Sequence, residues 1–438
     1  MIFFFLGIAS SLTKAMTLNS LKFSPLTLSN KTYSSIFVNA FKALSGLALV
    51  KIISVYGGPS QLAVYSNFTN ILLIIVAIIS GSVQTGVTVL TSKDQLDKGP
   101  FLNSIILFFT TALISFLFLA VFSLLYDFPN ILMGIPAPLL FILAIPFGIN
   151  IFYVAYENAF LRFDKILVSY LIVGIVPCFY IFMHGDNFDL PLLITLIISG
   201  NLLASFLVLT RISISDFKDF LPKVNFKDTY LLIRFGAMSA VSGIVMSFSQ
   251  VLIRNDVTLN IGLIDAGYWD ALYRVSTLLN FFIIAPILLV YLPKISVASD
   301  KGSKYILALF KDALKQMTIL FGVAFFALWL FGTIIVNLIF SPEFQPISQF
   351  LIPIAGIEFI KAVGAIFLLL PVALKKFKFS ILNDFIYFVI IFIGLLIIPD
   401  KIKCDLNYIL FLLGAGSSIY LANIILFNFF YFIGLKER

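Results

Sequence analysis

Histidine is almost missing from this sequence. The 438 residues contain one, His184, which excludes histidine metal sites and leaves little room for a histidine-centred triad. Cysteine is nearly as scarce, and Cys178 and Cys404 alone build neither a disulfide framework nor a thiolate metal cluster. Charge is the third shortage. Asp, Glu, Lys and Arg make up 11% of the chain, where soluble globular domains carry about a quarter. With 61% hydrophobic residues and a mean hydropathy of +1.09, the chain cannot cover a water-facing surface. A soluble enzyme, a secreted disulfide scaffold and a disordered chain are all excluded.

What the sequence has instead is long apolar runs, and a helix crosses about 30 Å of hydrocarbon with roughly 20 such residues. Twelve runs qualify, near 33–56, 61–90, 101–125, 132–157, 166–184, 190–210, 229–254, 264–292, 315–340, 347–373, 378–398 and 407–433. They are too long and too uniformly apolar for barrel strands. The expected class is therefore an all-α polytopic membrane protein. The lead MIFFFLGIASSLTKA has the look of a signal sequence, but its apolar run is too short to span and no basic residue precedes it. Residues 1–32 read as a non-spanning extension, with Met16 as an alternative start.

The net charge of +8 could suggest nucleic acid, but its distribution says topology. Twenty-one of the 29 basic residues fall at loops on one side, whereas Lys401 and Lys403 alone fall at loops on the other. The positive-inside rule then puts both termini in the cytoplasm and makes the number of spans even. Basic residues spread over every inner loop form no nucleic-acid patch. The longest hydrophilic connection, 211–228, divides the chain into halves of six spans, 33–210 and 229–433, followed by a short tail, 434–438. AVYSNFTNI at 63–71 and AGYWDALYRV at 266–275 echo each other at the start of the second span of each half. An even number of spans per half makes such a duplication a parallel repeat about the membrane normal.

Ionisable groups inside the bilayer cost at least about 2.5–3.5 kcal/mol each and usually face a cavity or a partner. The cations are Lys42, Lys51, Arg234, Arg254, Arg274 and Lys361; the acids are Glu157, Asp270, Glu358 and Asp384, with Asp256 and Asp265 near the outer mouth. A purely structural reading exists for most of them. Glu358 and Lys361 are spaced i, i+3 and Asp270 and Arg274 i, i+4, so each pair shares a helix face and can neutralise itself. Lys51, Arg234 and Arg254 lie near span ends, where long side chains snorkel, and Glu157 is close to an interface. Lys42 sits well inside the first span with no acid one turn away, so it needs water, another helix or an anionic ligand. The excess of interior cations points to a cavity suited to an anion, phosphate or pyrophosphate best of all.

Several segments carry a resemblance. NAFKALSGLALVKIISVYGGPSQLAVYSNFTNI (39–71), with Lys42 and Lys51 nine apart, QVLIRNDVTLNIGLIDAGYWDALYRVS (250–276), YLPKIS (291–296), SPEFQPISQFLIPIAGIEFIKAVGAIF (341–367) and FKFSILND (377–384) together resemble the Wzx-type flippases. These are the O-antigen and lipid III branch of the polysaccharide transporters. Arg254 and the acid-x-x-Lys pair Glu358 and Lys361 match the family pattern, while Arg274 has no family counterpart. The resemblance implies a MATE-like fold with two six-helix lobes in the bacterial inner membrane. The implied cargo is an undecaprenyl-pyrophosphate-linked oligosaccharide moved to the periplasmic leaflet. It implies no cofactor, but coupling to a proton or sodium gradient, with a polysaccharide polymerase and chain-length regulator as partners. On that reading Lys42, Lys51, Arg234, Arg254, Arg274 and Lys361 bind cargo, and Glu358, Asp384, Asp270 and Glu157 couple the ion.

The rivals are a MATE-type drug or cation antiporter, an exporter of another lipid-linked capsule or exopolysaccharide unit, an envelope polymerase or ligase, and a structural membrane protein. An antiporter of cationic drugs wants an acid-rich site. An envelope enzyme wants large basic outer loops, and those here are short and nearly without cations. A structural protein leaves Lys42 unexplained.

Overall fold

The computed structural model describes residues 30–93, 105–113, 116–117, 137–160, 162–184, 188–207, 226–298, 303–374, 377–399, 402–403 and 405–436. The expected extension up to residue 29 and most of the connection between the halves lie outside them. Twelve α-helices have their bounds among the described residues. In the first half they are α1 (Asn30–Tyr56), α2 (Gly58–Lys93), α3 (Ala137–Ala159), α4 (Phe163–His184) and α5 (Leu190–Ser205). In the second they are α6 (Phe226–Asn260), α7 (Leu263–Leu279), α8 (Ala285–Ala298), α9 (Ser303–Ile339), α10 (Leu351–Ala373), α11 (Phe377–Ile397) and α12 (Asn407–Lys436). Residues 105–113 are also helical, so the described part of each of the twelve expected spans falls on helix. Among the described residues there is no strand.

Among the described residues six helical stretches are long and apolar enough to cross a membrane: Gly58–Ser80, Leu139–Asn158, Leu263–Leu288, Lys304–Ile339, Pro342–Pro371 and Asn407–Phe430. Their outer faces carry exposed apolar side chains such as Phe326, Trp329 and Phe331 on α9, as expected where lipid replaces water. The protein is a multi-pass membrane protein.

Two expected single spans are composite. The eighth runs through α7, a π-helical turn over Asn280–Ile284 and α8. Pro286 lies just beyond that turn and brings no N–H to the helical ladder, and a wide turn is one way a helix accommodates the gap. The tenth begins as a 3₁₀ helix, Pro342–Phe350, before α10. Pro342 and Pro346 lie in that segment and interrupt regular α-helical bonding.

The order of packing follows the sequence halves. In the first half α2 packs on α3, α4 on α5, and α1 on α4; in the second α10 packs on α12, α6 on α11, and α9 on α10. The halves meet chiefly where α2 lies along α6 and α7. At one end of this seam the chain turns sharply between α1 and α2, where Gly58 adopts φ +67°, a conformation glycine enters without strain. Gly267 on α7 meets Pro59 so closely that a Cβ there would stand 2.0 Å from the Pro59 carbonyl oxygen.

Polar groups inside the halves are tied to each other. The Ser169 hydroxyl donates to Asn150 Oδ1 at 2.5 Å and Asn150 Nδ2 donates to Asn201 Oδ1 at 3.2 Å, joining α4, α3 and α5. In the second half Asn423 Nδ2 donates to Asn383 Oδ1 at 2.7 Å between α12 and α11. Such bonds replace water where the hydrocarbon offers no partner.

Candidate functional site

Three interior charges, Arg254, Asp270 and Arg274, lie at the seam, and the structure redistributes the pairs expected from spacing. Asp270 on α7 does not pair with Arg274 one turn later. It is 1% exposed and is gripped by Arg254 of α6, which is 2% exposed: Nε donates to Asp270 Oδ2 at 2.8 Å and Nη2 to Oδ1. The third guanidinium nitrogen, Nη1, donates to Asn67 Oδ1 on α2 at 3.3 Å. Helix spacing put Asp270 and Arg274 on one face, but only a guanidinium from a neighbouring helix can approach the carboxylate edge-on with two parallel donors. Arg254 therefore does not snorkel to an interface.

Arg274 is left without a carboxylate. It reaches α2, where Nη2 donates to the Ser66 hydroxyl at 3.0 Å and the guanidinium lies 5.8 Å from the centre of the Tyr65 ring. Its Nε is buried and has no hydrogen-bond partner. Arg274 stands eleven residues into α7, about 16 Å along the helix at 1.5 Å per residue, close to half the depth of the hydrocarbon.

The second expected pair does form. Lys361 Nζ donates to Glu358 Oε1 at 2.8 Å on α10, and Asn280, first residue of the π turn, donates to Glu358 Oε2 at 2.5 Å. Glu358 is fully buried, whereas Lys361 keeps 22% of its side chain exposed and lies 5.8 Å from the centre of the Tyr387 ring. Asp384 of α11 accepts a 2.5 Å bond from the Ser242 hydroxyl of α6. Among the described residues it makes no ion pair.

The remaining sequence candidates lie elsewhere. Lys42 is exposed on α1 with Nζ 5.3 Å from the centre of the Tyr170 ring on α4, a cation–π distance. Lys51 donates to the backbone carbonyls of Asn337, at 2.8 Å, and Phe340, at the end of α9. That is the electronegative end of a helix, so Lys51 does not snorkel either. Glu157 is buried at the end of α3, 3.7 Å from Arg162. Arg234 lies on α6, and its side chain is outside the described residues.

One cluster was not singled out from the sequence. Asp256 accepts from Lys403 Nζ at 2.8 Å and from the Tyr408 hydroxyl at 2.7 Å. Lys403, which the sequence places in an outer loop, is buried and pins the α11–α12 connection to the end of α6. An aspartate, a lysine and a tyrosine spread over 150 residues carry no local signal.

Among the described residues no group of His, Cys, Asp and Glu could hold a metal ion. What the arrangement offers chemically, among the described residues, is two interior ion pairs, Arg254–Asp270 and Lys361–Glu358, and a guanidinium, Arg274, with no carboxylate in hydrogen-bond reach.

The fold is that of the MATE transporters. Over 92% of this chain and 99% of theirs, it superposes on an inward-facing multidrug resistance MATE family transporter of the MOP superfamily with a TM-score of 0.73 and 12% identity. An outward-facing multidrug resistance MATE transporter matches with a TM-score of 0.61 and 15% identity, over 93% of this chain and 95% of that one. A MOP superfamily transporter from Pyrococcus furiosus, described as having a binding pocket of reverse polarity that suggests a different function, matches with a TM-score of 0.60 and 14% identity. That match covers 92% of this chain and 95% of that one. Identities this low establish the fold alone. No protein-family model matches the sequence, and no curated protein does.

Proposed function

We propose that the protein is a flippase for undecaprenyl-pyrophosphate-linked oligosaccharide units of O-antigen or lipid III type. It carries them from the cytoplasmic to the periplasmic leaflet of the inner membrane by ion-coupled alternating access. The single observation that carries this reading is Arg274. A guanidinium near the middle of the membrane, without a carboxylate and with a buried Nε lacking any acceptor, is expensive unless an anion visits it. A diphosphate supplies what is missing, since its oxygens accept charge-assisted bonds in the geometry that guanidinium presents. Arg254 and Lys361 are each paired with a carboxylate, Asp270 and Glu358, so they frame the site rather than dominate it. The exposed part of Lys361 and the exposed Lys42 extend the positive field toward the sugars. The lipid tail stays in the bilayer, and only the headgroup needs a polar path. The Pyrococcus furiosus relative's reversed pocket polarity supports the idea that this fold hosts cargoes of either sign.

Asp384 favours a second reading. A half-buried carboxylate held by one hydroxyl is suited to proton or sodium exchange, which serves a flippase and a MATE-type cation antiporter alike. Reconstitution separates the two. The protein in proteoliposomes with undecaprenyl-pyrophosphate-linked oligosaccharide in the inner leaflet is expected to expose the sugar to an external glycosidase, and Arg274→Gln to lose that exposure. Export of ethidium by the wild type with no effect of Arg274→Gln would favour the antiporter instead.

A further inference from the structure

Lys51 was expected to bind cargo, yet its bonds run from one half of the chain to the other. It sits on α1, and both its acceptors, the carbonyls of Asn337 and Phe340, belong to the end of α9 in the second half. The position has a counterpart. Lys51 and Arg254 stand 203 residues apart, the same separation as Asn67 and Asp270 and as Ala63 and Ala266 in the internal echo. Arg254, the counterpart, crosses the seam in the opposite direction to reach Asn67. The α1–α2 and α6–α7 turns lie at this same end, where Gly267 presses on the Pro59 carbonyl. It is the end with few loop cations, the outer one on the charge reading.

The closed seam is under tension as well as held. Asn337 Oδ1 and the Ser341 hydroxyl, both beside the Lys51 acceptors in sequence, are buried there without hydrogen-bond partners. A buried polar atom without a partner favours whichever conformation hydrates it. Opening the seam would hydrate both, so closure depends on the bonds that oppose this.

We propose that Lys51 is the outer latch of the transport cycle. Its ammonium, bound to the last carbonyls of α9, holds the two halves together at the outer end, and release of that bond lets the outer side open. Lys51 is then a positioning residue for the cycle and does not touch cargo. The proposal goes beyond the cargo assignment and holds for any cargo.

The test uses the full chain in lipid nanodiscs without cargo, in a Cys178→Ser, Cys404→Ser background. Spin labels at Gln61→Cys and Leu259→Cys, both at exposed positions of opposite halves near the seam, report the outer distance by pulsed electron resonance. The wild type is expected to give a single short distance. Lys51→Met is expected to raise the ratio of long to short distances by about tenfold or more, since it removes two charge-assisted hydrogen bonds. Lys51→Arg, which keeps the donors, is expected to restore the short distance. Gly267→Ala serves as a second variant, because a methyl there meets Pro59 across the seam and is relieved by opening. Unchanged distances in both Lys51→Met and Gly267→Ala would overturn the latch. Should Lys51→Met fail to fold, Gly267→Ala alone decides, and unchanged distances there would overturn the latch. Unchanged distances with lost cargo binding would return Lys51 to the cargo site. None of these readings depends on flipping, so failure of the latch and failure of the flippase reading are told apart.

Discussion

Arg254 and Arg274 stand near one carboxylate, and only Arg254 takes it. The consequence for each is opposite. Removing one partner of a fully buried ion pair leaves the other charge stranded, at a cost of about 3–5 kcal/mol. Arg254→Ala and Asp270→Asn should therefore each lower the midpoint of thermal unfolding in detergent, while the paired replacement Arg254→Met with Asp270→Leu should recover most of the loss. Arg274 holds only a hydroxyl and a ring, so Arg274→Gln should leave that midpoint nearly unchanged. At this scale the sequence told where the charges were and not whom they met. The i, i+4 spacing of Asp270 and Arg274 was a true statement about a helix face. It could not report that α6 brings a second guanidinium edge-on to the same carboxylate. The i, i+3 pair Glu358 and Lys361 needed no neighbour and formed as spacing suggested. Arg254 matched the family pattern and Arg274 did not, yet of these two arginines Arg274 is the one left without a carboxylate in hydrogen-bond reach.

Helices were legible because their signal is local. The described parts of all twelve apolar runs are helix, since each run satisfies its own backbone and needs only lipid or another helix beside it. Departures from a straight helix were less legible. Pro286 marked the eighth span for a bend, but the π turn at Asn280–Ile284 and its tie to Glu358 through Asn280 are tertiary facts. Several polar residues within spans are tied across helices, Asn150 to Asn201 and Asn423 to Asn383 among them, whereas Gln250 Oε1 is buried without a partner. One of them tests the packing of the first half. Asn150 bonds both Ser169 and Asn201, so Asn150→Leu orphans two buried groups and should destabilise the protein by about 2–6 kcal/mol, at about 1–3 kcal/mol for each. A thermal melt in detergent reads this directly. A shift smaller than the scatter among surface variants would mean that the three helices are held by apolar contact alone.

For the molecule as a whole, the internal echo between 63–71 and 266–275 proved to mark the place where the halves touch. Ser66 and Asn67 from the first repeat meet Arg274 and Arg254 from the second half. A parallel repeat places equivalent helices face to face across a central seam, and a cargo moving between leaflets must pass that seam. Coupling belongs to this scale too. If Asp384 exchanges the driving ion, Asp384→Asn should still let cargo equilibrate between leaflets but should no longer accumulate it against its gradient. An imposed proton or sodium gradient across proteoliposomes would then have no effect on the variant while accelerating the wild type. Equal acceleration of both would move the coupling site elsewhere, with Glu358 the next candidate.

All of this rests on Arg274 receiving a diphosphate, and direct binding tests that with fewest steps. Native mass spectrometry of the detergent-solubilised protein with undecaprenyl pyrophosphate should give an affinity for the wild type that falls tenfold or more in Arg274→Gln, on the order of one charge-assisted hydrogen bond. The unfolding midpoint should stay where it was. Equal affinity in the two proteins would contradict the account.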